Sequence, residues 1–250
     1  MPLRKLCFYA LMPAILACAA GRSNRHVKEF TALKMDAWAN RASFAAEFGP
    51  KTGILPADVL PVQSKSAKGL GVGKVLVASR NLGDPHFAKT VILLVRYDDH
   101  GVLGLILNRR TDVPLSRALE SLKAANDRSD PVYVGGPVEM PAVFALFQSP
   151  AKLEAAEHVF DNVYLIAAKP LFERTISARP DPGVFHVYLG YAGWTQDQLR
   201  REVELGAWFV FPAEADTVFN ADPDALWLEM IRKTEMEMAQ SEGTKKIVSP

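Results

Sequence analysis

Residues 190–208 carry the densest local structural signals in this 250-residue chain. An apolar run precedes them, two glycines follow that run, and a threonine then precedes a polar segment that ends at another glycine. Glycines between apolar runs are typical of turns, and a hydroxyl residue before a periodic segment is typical of a helix start. The pattern predicts a strand, a glycine turn, a helix and a second strand over residues 185–189, 190–194, 195–206 and 207–211.

Side chains in this stretch also predict how the helix is held. Thr195 and Gln198 have the spacing of a capping box, in which each side chain bonds a free backbone N–H of the first turn. Trp194 and Leu199 have the spacing of a hydrophobic staple. Asp197 lies where the helix dipole favours a negative charge, and we expect it to pair with Arg201. We therefore predict a structural motif, with no catalytic residue, made of Gly190, Gly193, Trp194, Thr195, Gln198 and Gly206.

The first twenty residues have the pattern of an export signal. Arg4 and Lys5 precede the uncharged apolar run 6–20, which is too short to span a bilayer comfortably. Ala17-Cys18-Ala19 fits ordinary cleavage, whereas residues 15–18 resemble a bacterial lipobox in which Cys18 would carry a lipid. A buried N-terminal helix is the third interpretation. The sequence favours a lipoprotein-like signal over residues 1–20 and a location in the bacterial envelope, with a cytoplasmic location as the alternative.

The remaining chain divides into three parts. Its only cysteines are Cys7 and Cys18, both in the signal, so the rest of the chain has no disulfide, thiol nucleophile or cysteine metal site. Residues 21–70 are predicted to form an extension. Residues 26–48 have the pattern of an amphipathic helix, and the following stretch is rich in Pro, Gly, Ser and Lys. The predicted domain covers 71–234, and 235–250 is predicted to be a flexible tail.

Charge separates the extension from the domain. Residues 22–70 hold eight Lys or Arg against four Asp or Glu. Removing these, together with Arg4 and Lys5, from the totals of 29 and 28 leaves 19 basic and 24 acidic residues in 71–250, a net charge of −5. Domains that bind duplex DNA normally have the opposite balance, so nucleic acid is disfavoured as a partner. The basic extension would suit anionic lipid head groups beside the predicted anchor.

Within the domain, short apolar runs outnumber helical patterns. Strands are predicted at 74–78, 90–95, 102–108, 132–134, 143–147 and 162–167, with a hairpin turn at 97–101. Helices are predicted at 115–125, 171–177 and 224–233. The runs on either side of the hairpin turn are apolar at nearly every position, which is typical of strands covered on both faces. We predict a single α+β domain with one mainly antiparallel sheet that curls, and a few short helices.

Several motifs, in order, resemble the bacterial AlgH/YqgE family. They begin with Asp84-Pro-His-Phe87, a His100-Gly101 turn and the segment Gly-Leu-Ile-Leu-Asn-Arg at 104–109. They continue with Val-Tyr-Val-Gly-Gly-Pro-Val at 132–138, Phe-Ala-Leu-Phe at 144–147, Gly-Tyr-Ala-Gly-Trp at 190–194 and Gly-Ala-Trp at 206–208. The resemblance covers residues 73–231. It implies an α+β sheet folded towards a pseudo-barrel, in a family whose members are described as transcriptional regulators. The first 70 residues depart from it, since most members begin almost at the first strand.

Candidate ligand-binding groups lie in separate loops, and they are Asp84, His86, Asn108, Gly135 and Gly136. Asp84 and His86 have the residue types of an acid–base pair, but Asp-Pro also initiates turns. Asp98, Asp99 and His100 are the one local cluster of metal-capable side chains, and a solvated hairpin tip explains them better. No Gly-x-Ser-x-Gly elbow or His-x-x-x-His spacing occurs. We predict no metal, cofactor or catalytic residue.

Three functions remain open. The sequence favours a non-catalytic binding or regulatory protein, held by a lipid on Cys18, with a protein or small molecule as its partner. A cytoplasmic transcriptional regulator is the second possibility. The third is an enzyme whose polar site is built from the loops 81–87, 108–110 and 135–139.

Overall fold

The computed structural model describes residues 69–247, with side chains as far as residue 236. The predicted signal, the Cys18 lipid site and the 26–48 helix lie outside the described residues. The strands are β1 (Lys74–Ala78), β2 (Val91–Asp98), β3 (Gly101–Ile106), β4 (Arg110–Pro114), β5 (Pro131–Val134), β6 (Val138–Gln148), β7 (Glu157–Phe160), β8 (Val163–Ile166), β9 (Phe185–Trp194) and β10 (Trp208–Pro212). The helices are α1 (Leu115–Ala118), α2 (Lys169–Ser177), α3 (Gln196–Glu204), α4 (Ala215–Phe219) and α5 (Pro223–Ile247), with 3-10 turns at Lys123–Ala125 and Pro182–Val184.

All ten strands belong to one sheet, with the order β10-β1-β2-β3-β9-β6-β8-β7. β4 pairs with β5, and β5 runs parallel to β9; the other pairings are antiparallel. The predicted α+β class and mainly antiparallel sheet are therefore confirmed. The β2–β3 hairpin lies in the middle of this order with both faces buried, as its continuous apolar sequence predicts.

The sheet curls until β7 approaches β1 and β2. Arg96 of β2 donates from Nε to Oε2 of Glu157 on β7 at 3.2 Å, although several strands separate them in the pairing order. Gly73, just before β1, lies so close to β7 that an added Cβ would be 3.1 Å from the Val159 carbonyl oxygen. The sheet is thus a half-barrel, as the resemblance implied.

Both faces of the half-barrel are covered. Along β1, Val75 and Val77 point into an interior core that α4 and α5 close, while Leu76 and Ala78 point to the opposite face and α3. A third cluster joins β5, β6, β8 and β9 to α1 and α2. None of the helices in the described part of the chain is both long and apolar enough to cross a bilayer.

The predicted glycine turn at 190–194 is wrong, because β9 continues through both glycines to Trp194. Gly190 adopts a φ of +69°, and the pairing with β6 shifts register between Leu189 and Tyr191. Residues 139–142 of β6 lie between these two pairs and face Gly190 alone on β9, so the extra residues bulge from β6 while β9 continues without reversing.

Two helix predictions also need correction. The predicted 115–125 helix stops at Ala118, because the backbone of Leu119 leaves the helical region at φ −122° and ψ 48°. The predicted 224–233 helix is longer than expected, since α5 continues to Ile247; the flexibility of residues 235–250 stays a prediction. The residues of α5 after 235 include Glu, Met, Ala and Gln, which favour helix, and the first glycine after 235 is Gly243.

Candidate functional site

The loops that carry the predicted ligand groups lie side by side. Asn108 ties the loop 108–110 to the residues that follow the loop 81–87. Its Oδ1 accepts from the backbone N–H of Val91 and its Nδ2 donates to the Lys89 carbonyl, both at 2.9 Å. The Arg109 carbonyl accepts from the Val134 N–H at 2.9 Å, which joins the third loop. Burial lowers the pKa of Arg109, and the Asp84 carboxylate opposes that shift. The structure therefore brings these distant loops together.

Polar groups in these loops have partners inside the domain. Asp84 Oδ1 accepts from the His86 backbone N–H at 2.7 Å, which is the turn that Asp-Pro predicts. Gly135 donates to the Leu189 carbonyl at 2.8 Å and accepts from the Ile106 N–H at 2.9 Å. A ligand-binding role for these residues and for the His86 ring stays a prediction, while their structural roles are visible.

Two backbone segments cross in close contact at Gly136 and Gly190. A Cβ on Gly136 would lie 2.1 Å from the carbonyl carbon of Tyr191, and one on Gly190 would lie 2.6 Å from the Gly136 carbonyl oxygen. Real Cβ atoms do not approach backbone so closely, so the loop between β5 and β6 crosses β9 only because both positions are glycine. The Gly-Gly motif is thus explained by packing.

A buried carboxylate that the sequence pattern did not predict lies under the 190–208 stretch. Glu202 of α3 is 5% exposed. Its Oε2 accepts from the indole N–H groups of Trp194 at 3.1 Å and Trp208 at 2.9 Å, and its Oε1 accepts from Gln198 Nε2 at 3.0 Å. We call these four residues the indole clamp. It ties the end of β9, α3 and the start of β10 to one side chain.

Aromatic packing joins the clamp to the Asp-Pro-x-Phe loop. Phe87 stacks on Trp194, with ring centroids 5.6 Å apart, and meets Trp208 edge-on at 5.8 Å. Both indoles are 1% exposed, so they are core side chains and are not displayed to a ligand. Motifs separated by more than a hundred residues thus form one packed unit.

The caps of α3 agree with only part of the prediction. Thr195 Oγ1 accepts from the Gln198 N–H at 3.1 Å, and Gly206, with φ +78°, ends the helix. Gln198 does not return the bond, because its amide donates to Glu202, so the reciprocal half of the capping box is wrong. Asp197 pairs with Arg200 at 2.8 Å, and the predicted pair with Arg201 is replaced by this one.

A detectable signal for Glu202 was present in the sequence. It lies three residues after Leu199 and next to Val203, which puts a carboxylate on the apolar face of the helix. A charged residue there needs buried donors, because an unpaired charge loses too much hydration. The tryptophans at 194 and 208, which flank the helix, carry indole N–H groups that can supply them.

A second buried polar group lies in the half-barrel interior. Tyr133 of β5 stacks on His186 of β9 with centroids 4.8 Å apart, and its ring is 5.3 Å from that of Tyr188. Phe219 of α4 covers His186 at 5.2 Å. The strand register places Tyr133 opposite Tyr188, so β5 and β9 present these rings on one face. We call Tyr133, His186, Tyr188 and Phe219 the half-barrel site.

All three titratable rings of this site are neutral at pH 7, and burial shifts each pKa further towards the neutral form. It raises the pKa of Tyr188 well above its ordinary value and raises that of Tyr133, which Arg110 partly offsets. It lowers the pKa of His186 to about 4, while the Val218 carbonyl and Asp130 act in the opposite direction. The site therefore offers uncharged donors and acceptors.

The His186 shift predicts a pH dependence of stability. Above pH 6.5 the ring is neutral in both states; as the pH falls from 6.5 towards 4, only the unfolded chain gains a proton, so stability is lost. The loss attributable to this ring reaches roughly 3 kcal/mol below pH 4. Urea unfolding at several pH values should show a shallower dependence for His186→Gln, whereas exposed His100→Gln should behave like the wild type. Equal slopes for all three proteins would contradict the assignment.

The metal-capable cluster at the β2–β3 turn has a structural explanation. Asp98 Oδ1 accepts from the His100 backbone N–H at 2.8 Å, which is a local turn bond at an exposed tip. Within residues 69–236, for which side chains are described, no group of three or more His, Cys, Asp or Glu is placed to hold a metal ion.

The fold and these contacts define an α+β half-barrel domain, pinned by a glycine crossing and an indole clamp. The sequence profile of the AlgH-like family (DUF179) matches residues 75–239, which is most of the chain. The chain therefore belongs to the AlgH-like family, as the ordered motifs suggested.

Relatives and solved structures agree with this assignment. A UPF0301 protein of Azoarcus is 32% identical over 169 residues, covering 66% of this chain and 89% of its own length. One from Anaeromyxobacter dehalogenans is 34% identical over 174 residues, covering 66% of this chain and 88% of its own length. The solution structure of the AlgH protein from Pseudomonas aeruginosa has a TM-score of 0.53 at 28% identity, covering 64% of this chain and 85% of that one. A crystal structure from Corynebacterium diphtheriae shares the fold, with a TM-score of 0.54 at 23% identity, covering 66% and 87%.

Proposed function

We propose that this protein is a non-catalytic binding protein of the bacterial envelope, whose partner is a protein or a small molecule. The observation that carries this proposal is the internal bonding of the polar groups in the candidate loops. The Asp84 carboxylate holds the backbone of its own turn, and both ends of the Asn108 amide hold backbone groups. A general acid or base must instead present its proton-transferring atom to a substrate.

The charge of the chain supports a partner other than nucleic acid. The net charge of −5 in residues 71–250 would repel phosphates, whereas phosphate neutralisation supplies most of the affinity for duplex DNA. A small uncharged molecule or a protein surface meets no such penalty.

Anchoring rests on the N-terminal sequence. The basic residues Arg4 and Lys5, the apolar run 6–20 and the residues before Cys18 together support export and lipid attachment. Since each buried CH₂ of an acyl chain contributes about 0.8 kcal/mol, two or more chains on Cys18 would hold the protein stably at a membrane.

One complementation experiment tests both parts of the proposal. A bacterial strain lacking this protein is complemented with the wild type, Cys18→Ala, Cys7→Ala or the double variant Asp84→Asn/His86→Gln. We expect the wild type and Cys7→Ala to incorporate labelled palmitate and to sediment with membranes, and Cys18→Ala to lose the label and at least about 90% of its membrane fraction. Equal soluble recovery of Cys18→Ala and Cys7→Ala would contradict anchoring.

The double variant tests the absence of catalysis. The Asp84→Asn substitution keeps a side-chain carbonyl oxygen that can accept from the backbone N–H of residue 86, so the turn should persist, while acid–base chemistry would be lost. We expect the metabolite profile of the strain carrying Asp84→Asn/His86→Gln to match the wild-type strain. A profile that matches the deletion strain would instead favour an enzyme built on these loops.

A further inference from the structure

Two buried polar atoms of the half-barrel site have no hydrogen-bond partner among the described residues. They are the hydroxyl of Tyr188, whose side chain is 0% exposed, and Nδ1 of His186. Native proteins pair nearly all buried polar atoms with protein, water or ligand. Two unpaired atoms in one aromatic cluster therefore indicate that a further molecule completes it.

Their positions define one site. His186 and Tyr188 are two residues apart on β9, so both side chains leave the same face of the strand. The Tyr133 ring packs against both, and Phe219 covers His186 from α4. The unpaired atoms thus belong to a cluster walled by aromatic rings and closed by a five-residue helix.

The hydrogen-bond roles of the two atoms are fixed by their surroundings. The Val218 backbone raises the pKa of the His186 ring, as a carbonyl facing a ring N–H does, and Nδ1 has no partner among the described residues. We therefore assign the proton of the neutral ring to Nε2. In the neutral ring Nδ1 is then an acceptor. The Tyr188 hydroxyl is available as a donor. The site needs a molecule that gives one hydrogen bond and accepts another.

Charge does not suit this site. Asp130 acts on His186 as a negative charge, and Arg110 acts on Tyr133 as a positive one, so the surroundings favour neither sign. A carboxylate or an ammonium group would lose its hydration among these rings without a full counter-charge. Flat aromatic walls favour a planar molecule.

We propose that the half-barrel site binds a small, planar, uncharged molecule that carries an acceptor for the Tyr188 hydroxyl and a donor for His186 Nδ1, as a primary amide does. This inference deepens the proposed binding function by naming the chemistry of its small-molecule partner. It also gives α4 a role as the cover of the site.

Acetamide is the probe that tests this proposal. It is titrated into the purified full chain, in detergent where the lipid is present, and the ring signals of His186 and Tyr188 are followed by NMR. We expect saturable shifts in both rings. Tyr188→Phe, which removes only the hydroxyl, should weaken the apparent affinity about tenfold, the effect of one good hydrogen bond. Tyr164→Phe, on β8, which β6 separates from β9 in the sheet, should leave it unchanged.

Matched probes separate the outcomes. Acetate has the shape of acetamide but is charged, and N,N-dimethylacetamide lacks the donor; we expect neither to give a saturable shift. Equal binding of all three probes would overturn the proposed chemistry. Shifts that do not saturate with acetamide would also overturn it, and would mean that ordered water alone serves the two atoms. Either failure leaves the palmitate and metabolite results standing, because those variants do not alter this site.

Discussion

Glu202→Ala is expected to lower the free energy of unfolding by about 4 kcal/mol, because it leaves two buried indole N–H groups without an acceptor. Each such group costs about 1–3 kcal/mol, and the lost side chain also leaves a small cavity between β9, α3 and β10. Urea unfolding at pH 7, followed by tryptophan fluorescence and by far-UV circular dichroism, measures the change. Near-UV circular dichroism should lose much of its tryptophan signal, since both indoles lose their fixed partner.

Glu202→Gln is the matched control. Its amide oxygen can accept from both Trp194 and Trp208. Its NH₂ group can donate to Gln198 Oε1, which has no partner among the described residues, once the Gln198 amide turns over. We expect this variant to lose only about 1 kcal/mol, the scale of exchanging charged hydrogen bonds for neutral ones. If alanine proves no more harmful than glutamine, the clamp does not stabilise the domain.

Gly136→Ala is the second substitution with a large expected effect. A Cβ there would lie 2.1 Å from the backbone of Tyr191, so either the loop or β9 must move. The move disturbs the crossing between Gly136 and Gly190, and we expect a loss of about 4 kcal/mol or more, or failure to recover soluble protein.

Gly83→Ala provides the comparison for Gly136→Ala. An added Cβ at Gly83 meets nothing within 4 Å, so this substitution should stay within about 0.5 kcal/mol of the wild type. Soluble yield and the urea midpoint measure both variants. Similar midpoints for Gly83→Ala and Gly136→Ala would mean that the crossing is looser than the backbone distances require.

Local pattern predicted most of the regular structure of the domain. The apolar runs predicted β1, the β2–β3 hairpin, β5 and β8, and the pattern over 171–177 predicted α2. Three elements were missed, namely β4, β7 and α4. They have only four or five residues each, and β4 is mostly exposed, so neither length nor periodicity separates them from loops.

The features that decide the site are long-range and could not be read from neighbouring residues. Gly190 looked like a turn because the loop that crosses it lies more than fifty residues earlier in the chain. The position of Glu202 on the apolar face of α3 indicates burial, but its partners Trp194 and Trp208 reach it only through the ends of β9 and β10. His186 became a site residue only when β5 supplied Tyr133 and α4 supplied Phe219.

The hydrogen bonds of Gly73, at the start of the half-barrel, have a mechanical consequence. Gly73 donates to the Leu94 carbonyl and accepts from the Ala213 N–H, so the chain enters the half-barrel already bonded on both sides. β1 follows directly, paired along its length with β10 and β2. A pull arriving through the N-terminal residues along this strand loads both ladders in shear, so their hydrogen bonds share the force and do not open one at a time.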